Sequence, residues 1–200
     1  MLRGRIKRAV ILLAAIAAMG APQVRAALFG AKLGAQQPSQ PKGGHSAMAF
    51  SVSSPAFTSG SAIPKPFTCQ GTDVSPALAW SGHPKQTESF ALIVDDPDAP
   101  VGTWVHWVIW NIPASAQQLP ENVDKREHLD SGAVQGRNDF RKIGYNGPCP
   151  PPGNTHRYFF RLYALDGKLN LAPGATRQEL DAAMKGHILA QAEYMGTFRR

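Results

Sequence analysis

Long apolar stretches are missing from this 200-residue sequence. The apolar run at residues 9–19 is about half as long as a bilayer-spanning helix needs. Basic residues precede that run, and Val24, Arg25 and Ala26 follow it with the pattern of a signal cleavage site. We therefore predict a secretory signal peptide over residues 1–26, a mature chain without a membrane span, and a periplasmic or secreted location. An uncleaved membrane anchor is the alternative.

Cysteines are few, since the chain has only Cys69 and Cys149. Neither has a nearby histidine that would mark it as a nucleophile, and the G-x-S-x-G motif of serine hydrolases is missing. An even cysteine count in an exported chain favours a disulfide, with two buried thiols as the alternative. Such a bridge would close a loop of about 80 residues and stabilise the fold by about 4 kcal/mol.

The sequence also lacks a strong excess of basic residues once the predicted signal peptide is set aside. The formal charge of +7 includes five basic residues within residues 1–26, where there are no acidic ones. The remaining chain has 16 basic and 14 acidic residues, a net charge of about +2, and the basic residues form no stripe. We therefore expect no nucleic-acid partner.

Residues 27–48 are rich in Gly, Gln, Pro and Ser. Such a segment buries too little apolar surface to offset its ordering entropy, so we predict a flexible linker followed by one domain over residues 49–200. Short β-type runs between proline and glycine turns make that domain mostly β. The predicted strands span residues 49–52, 77–80, 89–95, 104–112 and 157–165. Two of them, "FALIVDD" and "HWVIWNI", are apolar at nearly every position, which indicates burial on both faces.

One helix is marked near the end of the chain. Thr176 and Glu179 form a capping box, and side chains at helical spacing continue from Leu180 through His187 to Gln191. We predict a helix over this stretch, with His187 on its apolar face. A second, short helix is predicted over residues 121–129, where the sequence is more polar.

Three stretches place polar side chains at strand ends. "DDPDAP" puts Asp96 and Asp98 in a stiff turn, "WVHWVIWNIP" puts His106 among tryptophans, and "THRYFF" puts His156 and Tyr158 on one strand face. Each has an ordinary explanation: an Asx-turn, a core histidine or an exposed edge. If they converge, Asp96 would orient and charge His106 or His156. The imidazolium and the tyrosine hydroxyl would then bind a small anion between apolar walls.

These stretches, with "GPCPPPGNTHRYFFRLYALD" and "CQGTDVSPALAW", resemble the phosphatidylethanolamine-binding protein family in its bacterial, Raf-kinase-inhibitor-like branch. The similarity runs from Ala49 to Phe198. It implies a mostly β fold with two antiparallel sheets, a few peripheral helices and a C-terminal helix, and a shallow cavity for phosphate-like groups. The ligand-binding positions that the resemblance implies are Asp96, Asp98, Pro100, Trp104, His106, His156 and Tyr158.

The sequence departs from the animal members of that family in two places. They carry paired histidines where this chain has Val105 and His106, and a C-terminal extension with a helix where this chain has "MGTFRR". The resemblance therefore implies the cavity and leaves open its natural ligand and any inhibition of a kinase.

Three function classes follow from these residues. The leading hypothesis is a non-enzymatic binding or regulatory protein without a cofactor, whose partner is a small anionic ligand or phosphorylated headgroup, or a protein carrying one. The second is a hydrolase with His106 or His156 as general base and Asp96 as its orienting group. The third is a metal site in which Asp96, His106 and His156 are the ligands.

Overall fold

The computed structural model describes residues 49–200, so the predicted signal peptide and linker lie outside the described residues. Most of the regular structure is β, in two antiparallel sheets. In chain order, the elements are β1 Ser51–Ser53, a 3₁₀ turn Lys65–Phe67, β2 Leu78–Ser81, β3 Ser89–Asp96, β4 Trp104–Pro113, β5 Gln118–Leu119, β6 Val134–Gln135, β7 His156–Leu165, α1 Arg177–Met184 and β8 Ile188–Phe198. The small sheet has the order β1-β2-β5 and the large one β6-β4-β3-β7-β8. The predicted mostly β fold with two antiparallel sheets is confirmed.

The five predicted strands are present with ends shifted by two residues or fewer. Strand β3 is buried along its whole length, as its continuous apolar sequence predicts. Phe90, Leu92 and Val94 join one apolar cluster, which includes β1 and β2 side chains, whereas Ala91 and Ile93 join a second cluster with residues of α1. The central sheet is therefore packed on both faces.

The helix prediction is correct at its start and wrong at its end. Thr176 and Glu179 form the predicted capping box, but α1 ends at Met184 and Gly186 follows with a φ of 87°. Residues 188–198 form β8, which pairs with the full length of β7. The predicted helix near the C-terminus is therefore present but shorter, and a strand follows it. His187 lies outside α1, and its exposed side chain lies 2.8 Å from an Asp166 carboxylate oxygen.

The predicted helix over residues 121–129 is not formed, and this stretch has no regular helix or strand. Its polar side chains have no apolar period with which to cover a core, so loop structure is the expected result of that composition. Across residues 49–200, the structure contains no helix that is both long and apolar enough to cross a membrane.

Candidate binding site

The site begins where β3 ends. Asp96 lies on the same face of β3 as Val94, and His156 begins the neighbouring strand β7. The two side chains meet, with Nδ1 of His156 2.8 Å from Oδ2 of Asp96, and both are buried. Oδ1 of Asp96 accepts a hydrogen bond from the backbone N–H of Asp98 at 2.9 Å. Both carboxylate oxygens are thus engaged, and His156 is held with Nδ1 toward Asp96.

A β-bulge brings His106 to the same place. Val94 pairs with Trp107 and Asp95 pairs with Val105, so His106 is an extra residue in β4. Val105 and Trp107 consequently belong to the two opposite apolar clusters, although strict alternation would put them on one face. Bulges commonly redirect a side chain next to a functional site. Here the bulge directs His106 toward Asp96 and His156.

The His106 ring is held in place by a backbone carbonyl group and two aromatic rings. Its Nδ1 lies 2.7 Å from the carbonyl oxygen of Asn146, and its ring packs edge-on against Phe140 and Tyr158. The side chain is buried, and that burial lowers the pKa of His106, only partly offset by the hydrogen bond to Asn146 and the charge of Asp96. The sequence left open which histidine Asp96 charges. The structure pairs Asp96 with His156.

These groups border a cavity of about 200 Å³. Its lining consists of Asp96, Ala99, Pro100, Val101, Trp104, His106, Phe140, Cys149, Pro150, Pro151 and His156. Five of the seven predicted ligand-binding residues line it: Asp96, Pro100, Trp104, His106 and His156. Apart from Asp96 and the two histidines, the walls are mainly proline, aromatic and aliphatic side chains, which exclude water from around the polar groups.

The other two predicted residues lie elsewhere. Asp98 does not line the cavity, because its carboxylate receives hydrogen bonds from the Arg157 guanidinium at 2.7 and 2.8 Å on the surface. These bonds lower the pKa of Asp98 to about 2. Tyr158 is fully buried behind the His106 ring, not on the cavity wall. Burial first, and then the charge of Asp96, raises the pKa of Tyr158, so its hydroxyl stays protonated.

The lining residues Cys149, Pro150 and Pro151 follow a loop that packs closely against distant backbone. Cys149 and Cys69 form the predicted disulfide, with Cα atoms 5.4 Å apart. Next to it, a Cβ atom added at Gly147 would lie 2.2 Å from the carbonyl oxygen of Phe67, so only glycine fits there. The Gly147 N–H also donates to an Asp73 carboxylate oxygen at 2.6 Å. The proline-rich loop is thereby attached to residues 67–73.

Sequence reasoning missed several contributors to this site. Phe140 covers one side of the cavity, and Asn146 holds His106 through its carbonyl group. Asn138 supports that carbonyl-bearing loop, since its Nδ2 donates to Oδ1 of Asn146 at 2.9 Å. No sequence pattern marks these positions, because backbone carbonyls carry no residue signature and the contacts join distant segments. Phe140 could have been noticed only as an aromatic residue in a polar turn.

The structure offers no support for a metal centre in residues 49–200, where no group of three or more His, Cys, Asp or Glu side chains is placed to hold an ion. Nδ1 of His106 is occupied by the Asn146 carbonyl group, and Nδ1 of His156 by Asp96. The arrangement instead presents two imidazole rings to a small apolar cavity.

A larger groove of about 500 Å³ lies beside β5, between residues 112 and 131. It contains none of the predicted site residues, and its walls include Ile112, Leu119, Val123 and Leu129. We assign the candidate site to the smaller cavity, because only there do a buried carboxylate and two histidines converge, which is the arrangement typical of specific binding sites.

A family model described as phosphatidylethanolamine-binding protein matches residues 53–199. The chain belongs to the phosphatidylethanolamine-binding protein family. A UPF0098 protein of Methanothermobacter thermautotrophicus is 52% identical over 145 residues, which cover 72% of this chain and 95% of that protein. A UPF0098 protein of Aquifex aeolicus is 48% identical over 151 residues, covering 74% of this chain and 88% of the relative.

Solved structures of the family agree with the fold. The phosphatidylethanolamine-binding protein homologue CT736 of Chlamydia trachomatis matches with a TM-score of 0.70 and 42% identity, over 76% of this chain and 98% of that one. YbcL of Escherichia coli, described as a new member of the mammalian family, matches with a TM-score of 0.71 and 36% identity over the same shares. The family assignment predicted from the sequence motifs is confirmed.

Proposed function

We propose that this family member is an exported binding protein whose cavity holds a small anionic group, such as a phosphate or the phosphorylated headgroup of a lipid. The observation that carries the proposal is the Asp96–His156 pair at the cavity wall. A carboxylate that holds Nδ1 of an imidazole leaves Nε2 to face a ligand, and a histidine that carries both protons donates a charge-assisted hydrogen bond from that nitrogen.

The surroundings of this pair favour a small group over a large one. The cavity volume of about 200 Å³ suits a phosphate-sized group and is below the usual range for drug-sized ligands. Trp104, Phe140 and Pro150 surround the polar groups and exclude water, which strengthens hydrogen bonds to a charged ligand. The rest of the ligand, whether metabolite, lipid or partner protein, would extend past Val101, whose side chain is 77% exposed.

Export is part of the same proposal. The basic, apolar start of the sequence matches a secretory leader. The Cys69–Cys149 disulfide supports an oxidising compartment such as a periplasm, since such bonds persist there and are rare in cytosolic proteins.

Calorimetric titration of inorganic phosphate and of a phosphorylated headgroup tests the binding proposal. His156→Ala removes the imidazole that Asp96 orients, so we expect at least about tenfold weaker binding. His187→Ala is the matched control, because His187 also pairs with an aspartate but lies exposed, away from the cavity. Equal affinity of wild type and His156→Ala would refute the role of the site.

A hydrolase remains the second candidate, because an aspartate-oriented histidine is also the arrangement of a general base. In this role His156 would activate a water molecule directly, since Cys149 is oxidised in the disulfide. A panel of ester and phosphoester substrates, assayed with wild type and Asp96→Asn, separates the classes. Turnover that is lost in Asp96→Asn would favour the enzyme; no turnover with intact phosphate binding would favour the binding protein.

A further inference from the structure

The two cysteines of the disulfide differ in their exposure to solvent. Cys69 is exposed, whereas Cys149 is half-buried and lines the cavity. Thiol–disulfide exchange begins when a thiolate attacks one of the two sulfur atoms, and access decides in part which sulfur is attacked. A thiol from solvent therefore reaches Cys69 first, and an attack there makes Cys149 the leaving group.

A guanidinium group lies beside the sulfur of Cys149. Nη1 of Arg200 donates a hydrogen bond to Sγ of Cys149 at 3.6 Å. The carbonyl oxygen of Arg200 also accepts a hydrogen bond from the backbone N–H of Gly153 at 3.3 Å, so Arg200 is attached to the proline-rich loop at two points. Arginine stays charged at every relevant pH, and a cation next to a sulfur atom stabilises the thiolate. Arg200 is therefore placed to stabilise Cys149 as a leaving group.

The other surroundings of Cys149 are those of the cavity. Its ionisable side chains are Asp96, His106 and His156. Both oxygens of the Asp96 carboxylate are engaged, one by the His156 ring and one by a backbone N–H, so its charge is directed to these groups and not to the sulfur. The apolar walls favour the neutral thiol, and the guanidinium in contact with the sulfur offsets that preference.

We propose that the Cys69–Cys149 bridge is a thiol-exchange site, in which a thiol reductant attacks Cys69 and Arg200 stabilises the departing thiolate of Cys149. The thiolate of the reductant forms a bond to Sγ of Cys69, the bond between the two cysteines breaks, and its electron pair stays on Sγ of Cys149. A second thiolate then attacks the reductant's sulfur in this mixed disulfide and releases Cys69 as a thiolate. Two thiols are oxidised to one disulfide, and their two protons pass to the two cysteines.

Exchange at this site changes how the cavity lining is attached. Residues 151–155 follow Cys149 and Pro150, are exposed, and form no regular helix or strand. The backbone before Cys149 is held independently of the disulfide, because the Gly147 N–H donates a hydrogen bond to an Asp73 carboxylate oxygen. Reduction therefore removes the covalent attachment of the lining after Cys149 and leaves the preceding backbone in place.

Trapping of the mixed disulfide tests the direction of attack. The folded protein is incubated briefly with reduced glutathione, free thiols are blocked with N-ethylmaleimide, and the cysteine peptides are identified by mass spectrometry. We expect glutathione on Cys69 and the maleimide on Cys149 in at least about three quarters of the mixed disulfide. An even division between the two cysteines, glutathione mainly on Cys149, or a disulfide that reacts only after unfolding in urea would overturn the proposal.

An Arg200→Gln variant tests the leaving group. Without the guanidinium the Cys149 thiolate is less stable, so reduction of the folded protein by uncharged dithiothreitol should be at least about threefold slower than in wild type. A variant that merely loosened the fold would be reduced faster, not more slowly.

Arg199→Gln is the matched control, because it removes the same charge from the neighbouring exposed position and should keep the wild-type rate. In urea, where the contact between Arg200 and the sulfur is lost, wild type and Arg200→Gln should be reduced at equal rates. A wild-type rate in folded Arg200→Gln, or equal slowing in Arg199→Gln, would overturn the role of Arg200.

Discussion

Two adjacent carboxylates on β3 have opposite surroundings. Asp95 lies on the face that carries α1, and its Oδ2 accepts hydrogen bonds from Arg177 at 2.6 Å and Arg161 at 3.3 Å. Asp96 lies on the cavity face and is paired with His156. Both aspartates are buried, so burial does not distinguish them.

The identity of the partner decides what each carboxylate does. Arginine is charged at every relevant pH, and two of them hold Asp95 in a permanent ionic cluster, which ties α1 and β7 to β3. The His156 imidazole has a second nitrogen, Nε2, so it can still form a hydrogen bond at the cavity while Nδ1 is paired with Asp96. We conclude that the Asp95 cluster stabilises the fold, whereas the Asp96 pair belongs to the proposed binding site.

The largest expected effect is a loss of folding stability when the disulfide at the cavity face is removed. Replacing both cysteines in Cys69→Ala/Cys149→Ala removes a crosslink between residues 80 positions apart. We expect a loss of about 4 kcal/mol in the free energy of unfolding, measured by urea denaturation. Phosphate affinity should also fall, since Cys149 lines the cavity. Unchanged stability would show that packing of the glycine-rich backbone is sufficient to hold this wall.

A smaller loss of stability is expected from a substitution on the α1 face. Asp95→Asn leaves Arg161 and Arg177 without their shared counter-charge, so we expect about 3 kcal/mol of destabilisation, at the low end for buried pairs because both arginines are partly exposed. Asp130→Asn, at an exposed ion pair, is the control and should have no measurable effect. Phosphate affinity of folded Asp95→Asn should remain that of wild type.

The matching substitution on the cavity face should affect binding more than stability. Asp96→Asn keeps the size of the side chain but no longer fixes the hydrogen of His156 on Nδ1. We expect phosphate affinity to fall by about tenfold and the free energy of unfolding by about 1 kcal/mol. The proposed difference between the two faces would be wrong if Asp95→Asn and Asp96→Asn lost phosphate affinity and free energy of unfolding in the same ratio.

The smallest effect concerns acid stability. Hydrogen bonds from Arg157 lower the pKa of Asp98 to about 2 from its ordinary value of 3.8. The lowered pKa makes the charged carboxylate stabilising above pH 4, and this contribution is lost as the pH falls from about 4 toward 2. Urea denaturation across this range should show a shallower decline in Asp98→Asn than in wild type. Parallel curves would indicate that solvent screens the pair completely.

The sequence predicted the sheet well, because β3, β4 and β7 carry continuous or alternating apolar residues between strong turn signals. It mispredicted β8. Helical spacing continued past Met184, but the buried residues of the strand, Ala192, Tyr194, Gly196 and Phe198, alternate with period two. Pairing along β7 satisfies the backbone of these residues, and such tertiary pairing outweighs a local helical pattern.

The candidate site was predictable in its residue types and less so in its geometry. Stiff turns at strand ends indicated Asp96 and His156. The position of His106 depends on a bulge, and its hydrogen placement depends on the carbonyl group of Asn146, 40 positions away. Neither is encoded in a local pattern, so the placement of His106 and its contact with Asn146 required the three-dimensional structure.

The close backbone packing at Gly147 has a consequence for how the proposed site could vary. A side chain at Gly147 is excluded by the close approach to Phe67, which fixes the backbone that leads to the lining residues Cys149, Pro150 and Pro151. Ala99, Pro100 and Val101 also line the cavity, and Val101 is 77% exposed. Substitutions that alter the ligand range should therefore be tolerated at Val101 and not at Gly147.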